Sequence, residues 1–305
     1  MKVLVTGACG FAGKHLVKRL LSQGDTVFAV GTSSNPFDPP VKYYQINLLE
    51  APAVASGIDF THVDGVYHLA GLAAVGPSFR QPVLYLRTNT EIQLNLFEAC
   101  LEQKAFPKFL VVSSANVYCS TSQLPLSEGS KVLPVSPYAL SKLAQEDIAD
   151  YYTTRGFEVI IARAFNHMGP GQAEGFIVAD LAKQIAQAEK SDKASISVGN
   201  LDAKRDYTDV RDIVRAYTLL MQKVSSGTYN VCSGRSVAGH EILEILLAKS
   251  RRSMRIKVDK TRLRPSDTPN VYGSNQKIRE STEWEPLTAL EQTLQDVLAD
   301  WRKRT

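Results

Sequence analysis

The stretch KVLVTGACGFAG, residues 2–13, decides how the rest of the chain is read. Val3, Leu4 and Val5 form a short apolar run of the kind a strand covered on both faces requires. The run breaks into glycines at Gly7, Gly10 and Gly13, and HLVKRLLSQG beyond them repeats with a helical period. Glycines between a strand and a helix permit a tight turn and let the backbone approach a diphosphate. The free N–H groups and positive dipole end of the helix point at the same anion. The alternative, glycines that serve packing at a strand-helix turn, needs no ligand at all.

Moving outward, the first half alternates between β-branched runs and helical patterns: TVFAVG, GVYHLAG, EIQLNLFEACLEQ, KFLVVSS, a polar loop, and SPYALSKLAQEDIADYY. That series predicts a Rossmann-type α/β fold, a doubly wound parallel sheet. After EVIIARAFN the pattern loosens, with helices predicted over Ile177 to Lys190, Asp212 to Lys223, HEILEILLAKS and ALEQTLQDVLADWRKR, and strands near Ile196 and at TYNVCSG. The expectation is a dinucleotide-binding domain over residues 1–165 and a smaller, mixed α/β substrate-binding lobe over 166–305, with about 205–235 returning to the first domain.

The 305 residues are 44% apolar, enough to bury a sizeable core, and a net charge of +4 does not call for nucleic acid. No apolar run reaches the length of a membrane span, and the opening segment turns to glycine too early for a signal peptide, so a cytoplasmic location without a membrane partner is expected. Cys9, Cys100, Cys119 and Cys232 are scattered without a C-x-x-C pair, which suggests neither a metal site nor a disulfide framework.

Tyr138 and Lys142 stand four apart at the start of a predicted helix and so share a face, where the ammonium would favour the phenolate. Ser113 and Ser114 end the strand KFLVVSS, at the rim where open α/β sheets collect ligands. A serine hydroxyl there could hydrogen-bond a carbonyl while the tyrosine moves a proton. The second strand ends in VGTSSN, with no acid at Thr32, Ser33 or Ser34 to hold an adenosine ribose or repel a ribose phosphate, so NADPH is expected, with NADH possible.

With these motifs in one order, the chain resembles the extended short-chain dehydrogenases/reductases, and within them the nucleotide-sugar epimerases, dehydratases and reductases. TGACGFAG, HLAG, TNTEIQLNLFEA with Asn89 opening a helix, SSANVY, YALSK, AFNHMGPGQ, RDYTDVRDI, YNVCSG and LRPSD carry the resemblance. It implies Ser114, Tyr138 and Lys142 as the catalytic trio. It also implies cofactor contacts from Gly7, Gly10, Phe11, Ala12, Gly13, Thr32, Ser33, Leu48, Leu69, Ala70, Gly71, Asn89 and Phe165, besides Tyr138 and Lys142 themselves. Asn47 stands where many members have an aspartate near the adenine. Ser114, Asn166, Phe176, Arg205, Arg264 and Asp267 are implied as substrate contacts, the arginines because a planar guanidinium suits phosphate. His167 is read as a packing or substrate-contact residue, and no metal is implied.

Within the family, a dehydratase needs an acid after the catalytic hydroxyl, and Ala115 and Asn116 stand there. An epimerase holds its NAD through a full cycle and usually shows an acid on the ribose. The later motifs look most like the GDP-6-deoxy-4-keto-D-mannose reductases, which implies NAD(P)H-dependent reduction of a GDP-linked 4-keto sugar to GDP-D-rhamnose. A GDP-mannose 4,6-dehydratase or a nucleotide-sugar 4-epimerase is the alternative enzyme, and a non-catalytic NADP-binding sensor or scaffold the alternative of another class. The resemblance also implies a homodimer, with helices near Glu91 to Glu102 and Pro137 to Tyr152 forming a four-helix contact.

Overall fold

A computed structural model describes residues 1–119, 122–191, 194–259 and 268–305. The chain opens with β1 (Lys2–Thr6), α1 (Phe11–Ser22), β2 (Thr26–Gly31), β3 (Lys42–Gln45), α2 (Ala51–Gly57), β4 (Gly65–His68) and α3 (Val75–Ser78). It continues with α4 (Pro82–Glu102), β5 (Lys108–Ser114), α5 (Pro137–Thr153), β6 (Val159–Ala164), β7 (Asn166–Met168), α6 (Ile177–Glu189), β8 (Ser195–Val198) and β9 (Lys204–Asp209). The last part holds α7 (Val210–Lys223), β10 (Gly227–Val231), β11 (Ser236–Ala238), α8 (Gly239–Ala248), β12 (Arg255–Val258), β13 (Asn270–Val271), α9 (Gln276–Thr282) and α10 (Leu290–Arg304).

Seven strands form one parallel sheet in the order β10-β6-β5-β4-β1-β2-β3. Successive side chains of a strand point to opposite faces, and the core divides accordingly. Val3, Val5, Leu110, Ile160 and Ala162 face α1 and α7, while Leu4, Phe109, Val111, Val159 and Ile161 face the side of α2, α4 and α5. Both faces are covered, which is why β4 and β6 are buried along their whole length. The strand order reverses at β1, whose neighbours are β2 and β4, so the crevice beyond the carboxyl ends of β1 and β4 is the place for a ligand.

The chain leaves this sheet after β6 and returns to it with β10, which pairs in parallel with β6. Between and after these strands a smaller lobe packs α6, α8 and α10 around Leu181, Ile185, Ile242, Leu246, Leu294 and Trp301. Its four-stranded sheet has β9 at the centre, antiparallel to β11 and parallel to β13 and β7, and β12 pairs with β8.

α4 begins at Pro82, not at Asn89, which lies two turns inside it. Proline fits the first helical position, where its missing N–H has no partner to lose. Val83, Leu84 and Leu86 in those first turns are exposed, so the apolar pattern there does not follow a single buried stripe.

Candidate active site

The glycine turn is as tight as its sequence requires. Gly7 has φ +66°, and a Cβ on it would stand 2.8 Å from the Ala70 amide nitrogen. A Cβ on Gly13 would stand 2.2 Å from the Gly7 carbonyl oxygen, so β1, the turn and α1 can close together only with glycine at that position. Gly10 caps α1 without a side-chain hydrogen bond, and Phe11 and Ala12 form the first turn. The glycines let β1, the β4 end and α1 pack backbone to backbone, and the free N–H groups at the start of α1 fit a dinucleotide diphosphate.

Leu69, Ala70 and Gly71 follow β4 directly beside this turn, and the Ala70 N–H donates to Thr6 Oγ1 at 3.2 Å. Asn89 is fully buried, and its amide is committed to protein. Oδ1 accepts from Leu72 N at 2.7 Å, and Nδ2 donates to Leu72 O at 3.2 Å and Ser141 Oγ at 2.8 Å. Asn89 thereby ties the β4 end to α5. Thr32 and Ser33 lie exposed just past β2, and Asn47 caps its own turn through Leu49 N and Glu50, with Leu48 buried beside it.

Gly31, the last residue of β2, leaves no room for a side chain. A Cβ on it would meet the Tyr43 hydroxyl at 2.7 Å and Cys9 Sγ at 3.0 Å. The Tyr43 phenol, from β3, fills that place and donates to Ser33 O at 2.7 Å.

Ser114 ends β5 and Tyr138 opens α5. Ser136 caps that helix by accepting from Ala139 N, and Pro137 holds its first position. Ser114 Oγ accepts from Asn116 N at 3.2 Å and Asn116 Nδ2 at 3.0 Å, which leaves its own proton to donate. Burial pushes the Tyr138 phenol above its ordinary pKa, opposed by a hydrogen bond with Ser114. The expected influence of Lys142 on the phenol is not what the structure shows. The Lys142 ammonium instead donates to Val112 O and Gln145 Oε1, each at 2.9 Å, and burial lowers its pKa from 10.5 to about 8 against the raising effect of Glu146. Spacing put the two residues on one face, but the long side chain turned to the stronger acceptors.

One turn along α5, Glu146 accepts from Arg163 of β6 at 2.6 Å and from Ser113, in a pair almost without solvent contact. These buried partners were not foreseen, although Gln145 and Glu146 stand three and four residues beyond Lys142 in sequence.

On the substrate side, Ala115, Asn116, Phe165, Asn166, Arg205, Asp206, Thr268 and Val271 line a cavity of about 100 Å³. Asn166 opens β7, and the Arg205 guanidinium on β9 donates to Thr268 O at 2.7 Å. The Phe165 ring is buried against Tyr118, Leu126 and Cys232. Phe176 is 42% exposed and immediately precedes α6. Arg264 and Asp267 lie outside the described residues. Burial raises Asp206, yet its carboxylate is engaged by Ser233 N and Oγ, Gly234 N and Gly273 N, a structural role rather than that of a free base. His167 stacks on Phe11 with centroids 6.0 Å apart, and burial lowers its pKa, so it is neutral and joins the glycine turn to the second lobe. Among the described residues no cluster of three His, Cys, Asp or Glu side chains could hold a metal, and no helix is long and apolar enough to cross a membrane.

A doubly wound sheet with a glycine turn at its switch point and a serine, tyrosine and lysine at the next strand end defines an NAD(P)-dependent oxidoreductase of the short-chain dehydrogenase/reductase class. The model of the GDP-mannose 4,6 dehydratase family matches residues 4–297, and the chain belongs to that family. It is 35% identical to the GDP-6-deoxy-D-mannose reductase of Pseudomonas aeruginosa, over 99% of this chain and 98% of that one. The structure of RMD from Pseudomonas aeruginosa complexed with NADPH covers all of both chains with TM-score 0.88 at 32% identity. The UDP-glucose 4-epimerase of Thermotoga maritima, solved with UDP-glucose, covers 100% of this chain and 99% of that one with TM-score 0.90 at 25% identity. Its class is therefore that of the nucleotide-sugar reductases, epimerases and dehydratases.

Proposed function

We propose that the chain reduces the 4-keto group of a nucleotide-linked 6-deoxy-4-keto-hexose with NADPH, with GDP-6-deoxy-4-keto-D-mannose as substrate and GDP-D-rhamnose as product. The observation that carries this reading is Ser114, which accepts two hydrogen bonds from Asn116 and is in hydrogen-bonding contact with a buried Tyr138.

The cofactor, when bound, supplies a hydride. Gly7, Gly10, Phe11, Ala12 and Gly13 would hold its diphosphate, and Leu69, Ala70 and Gly71 would wall the crevice. Ser114 donates to the sugar carbonyl and so stabilises negative charge as it develops on oxygen. Tyr138 delivers its proton to that oxygen. A phenol raised by burial stays protonated at neutral pH, which suits a donor, and the positive charge of Lys142 on the same helix would favour the phenolate left behind. Asn166 and Arg205 would bind the sugar diphosphate at the cavity they line. A dehydratase would need a base to take a proton from C5, and Ala115, Asn116 and the fully engaged Asp206 do not offer one. The GDP preference rests on similarity to the GDP-6-deoxy-D-mannose reductase, and the NADPH preference on that with RMD and on the absence of an acid at Thr32, Ser33 and Ser34.

We also propose a homodimer through α4 and α5. These helices pack along each other and leave Val83, Leu86 and Leu140 exposed beside Val135, around a groove of about 400 Å³. A sedimentation equilibrium run at micromolar concentration should give twice the chain mass, and a monomer would remove this contact.

The test of the reaction is loss of NADPH absorbance on adding enzyme to freshly made GDP-6-deoxy-4-keto-D-mannose, with the dTDP and UDP keto-sugars in parallel. Oxidation confined to the GDP sugar is expected. No oxidation with any of them, in a protein that purifies with tightly bound NAD, would replace the reductase with an epimerase.

A further inference from the structure

Behind the three residues of the proposed site runs a line of buried side chains whose hydrogen bonds have only one consistent direction. The Lys142 ammonium can only donate, so Gln145 must turn its amide oxygen to it, at 2.9 Å. The amide nitrogen of Gln145 then faces His68 Nε2 at 3.2 Å and donates to it. With Nε2 accepting, the neutral imidazole carries its proton on Nδ1 and donates to Thr6 Oγ1 at 2.9 Å. Thr6 also accepts from Ala70 N and immediately precedes Gly7 of the glycine turn. Gln93 of α4 fixes the backbone of Gln145 by donating to its carbonyl at 2.8 Å. Thr6, His68, Gln93 and Gln145 are all at most 1% exposed.

We propose that Gln145 and His68 are positioning residues for Lys142, forming a polar strut that sets the ammonium at a fixed place relative to the glycine turn. The inference rests on reading Lys142 as the cation of the site. An amide does not hand on a proton, so the line orients and does not conduct. Its members come from β1, β4 and α5, three elements that also carry the glycine turn, the crevice wall and Tyr138. Cofactor cradle and proton donor are thus held in one frame.

Other groups facing Lys142 must be separated from this effect. They are Glu146, which is paired with Arg163 of β6, and His68, with Tyr138 four residues away on the same helix. Tyr85 of α4 and Tyr217 of α7 interact with Tyr138. Gln145→Leu and Gln145→Glu leave Glu146 and Tyr138 in place, both remove the amide donor from His68 Nε2, and act on Lys142 in opposite senses. The leucine removes an acceptor from the ammonium, and the glutamate places a negative charge on it.

NADPH affinity, read by fluorescence from pH 6 to 10, should fall in the wild type as Lys142 loses its proton near pH 8. That limb should move to lower pH in Gln145→Leu and to higher pH in Gln145→Glu, by about one unit each. Mere structural damage would weaken both variants without moving their limbs apart. In the wild type, the ring nitrogen resonances of His68 should report the neutral Nδ1–H form from pH 5 to 9. Tight wild-type binding with an unmoved limb in both variants, or an Nε2–H tautomer of His68, would overturn the positioning role alone. A wild type that does not bind NADPH at any pH would overturn the functional reading together with the inference.

Discussion

Acid should destabilise this protein by way of His68. The residue ends β4, is 1% exposed, and has both ring nitrogens engaged, one with Thr6 and one with Gln145. Burial, and then the charge of Lys142, push its pKa from 6.5 down to about 3. Below about pH 6.5 the unfolded chain takes up a proton on this imidazole, while the folded chain does not until about pH 3. The unfolded state binds more protons across that window, so stability is fully present above it and is lost as pH falls through it. Each pH unit is worth about 1.4 kcal/mol, so the loss reaches about 3 kcal/mol by pH 4.5 and about 5 kcal/mol by pH 3. Against a net stability of about 5–15 kcal/mol this one group is a large share. Urea unfolding at pH 7, 6, 5 and 4.5, followed through the buried Trp284 and Trp301, would measure it in the wild type and in His68→Gln. The variant loses contacts at every pH but has no proton to gain. Its deficit relative to the wild type should therefore shrink by about 1.4 kcal/mol per unit below pH 6.5. An equal deficit at pH 7 and pH 4.5 would refute the claim that the fold requires a neutral imidazole here.

Four other substitutions test the site. Tyr138→Phe should lower kcat by about 10²- to 10⁴-fold with NADPH affinity nearly unchanged, and near-normal turnover would remove Tyr138 from the proton transfer. Gly13→Ala places a Cβ 2.2 Å from the Gly7 carbonyl, so NADPH affinity should fall at least about tenfold; Gly76→Ala, which meets nothing within 4 Å, is the control. Gly31→Asp would displace the Tyr43 phenol and put a carboxylate at the end of β2, so the ratio of the NADH and NADPH dissociation constants should move toward NADH. Glu146→Gln leaves Arg163 buried without its countercharge and should cost about 3–5 kcal/mol in urea unfolding, most of it recovered when Arg163→Met is added.

How far these features can be read from the amino-acid order depends on how local they are. β1, the glycine turn and α1 are legible because period, glycine placement and the helix that follows all lie within 22 residues. The small sheet was not legible: β7, β9, β11 and β13 are short and hold polar residues, and they are brought together only by pairing across long stretches of chain. Ser114, Tyr138 and Lys142 could be picked out by residue type and spacing, but spacing fixes where Cβ atoms stand and not where a four-carbon side chain ends. That is why Lys142 was expected at the phenol and is found on Val112 O and Gln145. Two features of the sequence do point to such buried partners. Arg163 stands alone in the apolar run VIIARA and His68 ends the buried run GVYH, and a lone polar group in a buried strand requires a buried partner.

Those partners explain why the inner face of α5 is polar where an apolar stripe would have been simpler. Ser141 receives Asn89, the Gln145 carbonyl receives Gln93, Lys142 reaches Val112 O, and Glu146 holds Arg163 and Ser113. An apolar face can rotate or slip along a sheet while losing little buried area, because dispersion and hydration are not directional. Each of these hydrogen bonds fails within about an ångström, so a slip of one turn, about 5.4 Å, would break all of them at once. The contacts are spread over two turns of the helix and reach α4, β5 and β6, which leaves α5 a single seat. Tyr138, four residues ahead of Lys142 on that helix, is thereby held against Ser114. The cost shows in Lys142, where burial depresses the pKa from 10.5 to about 8. A cation so placed weakens the fold at neutral pH, and it is held there by donating to Val112 O and to Gln145 Oε1.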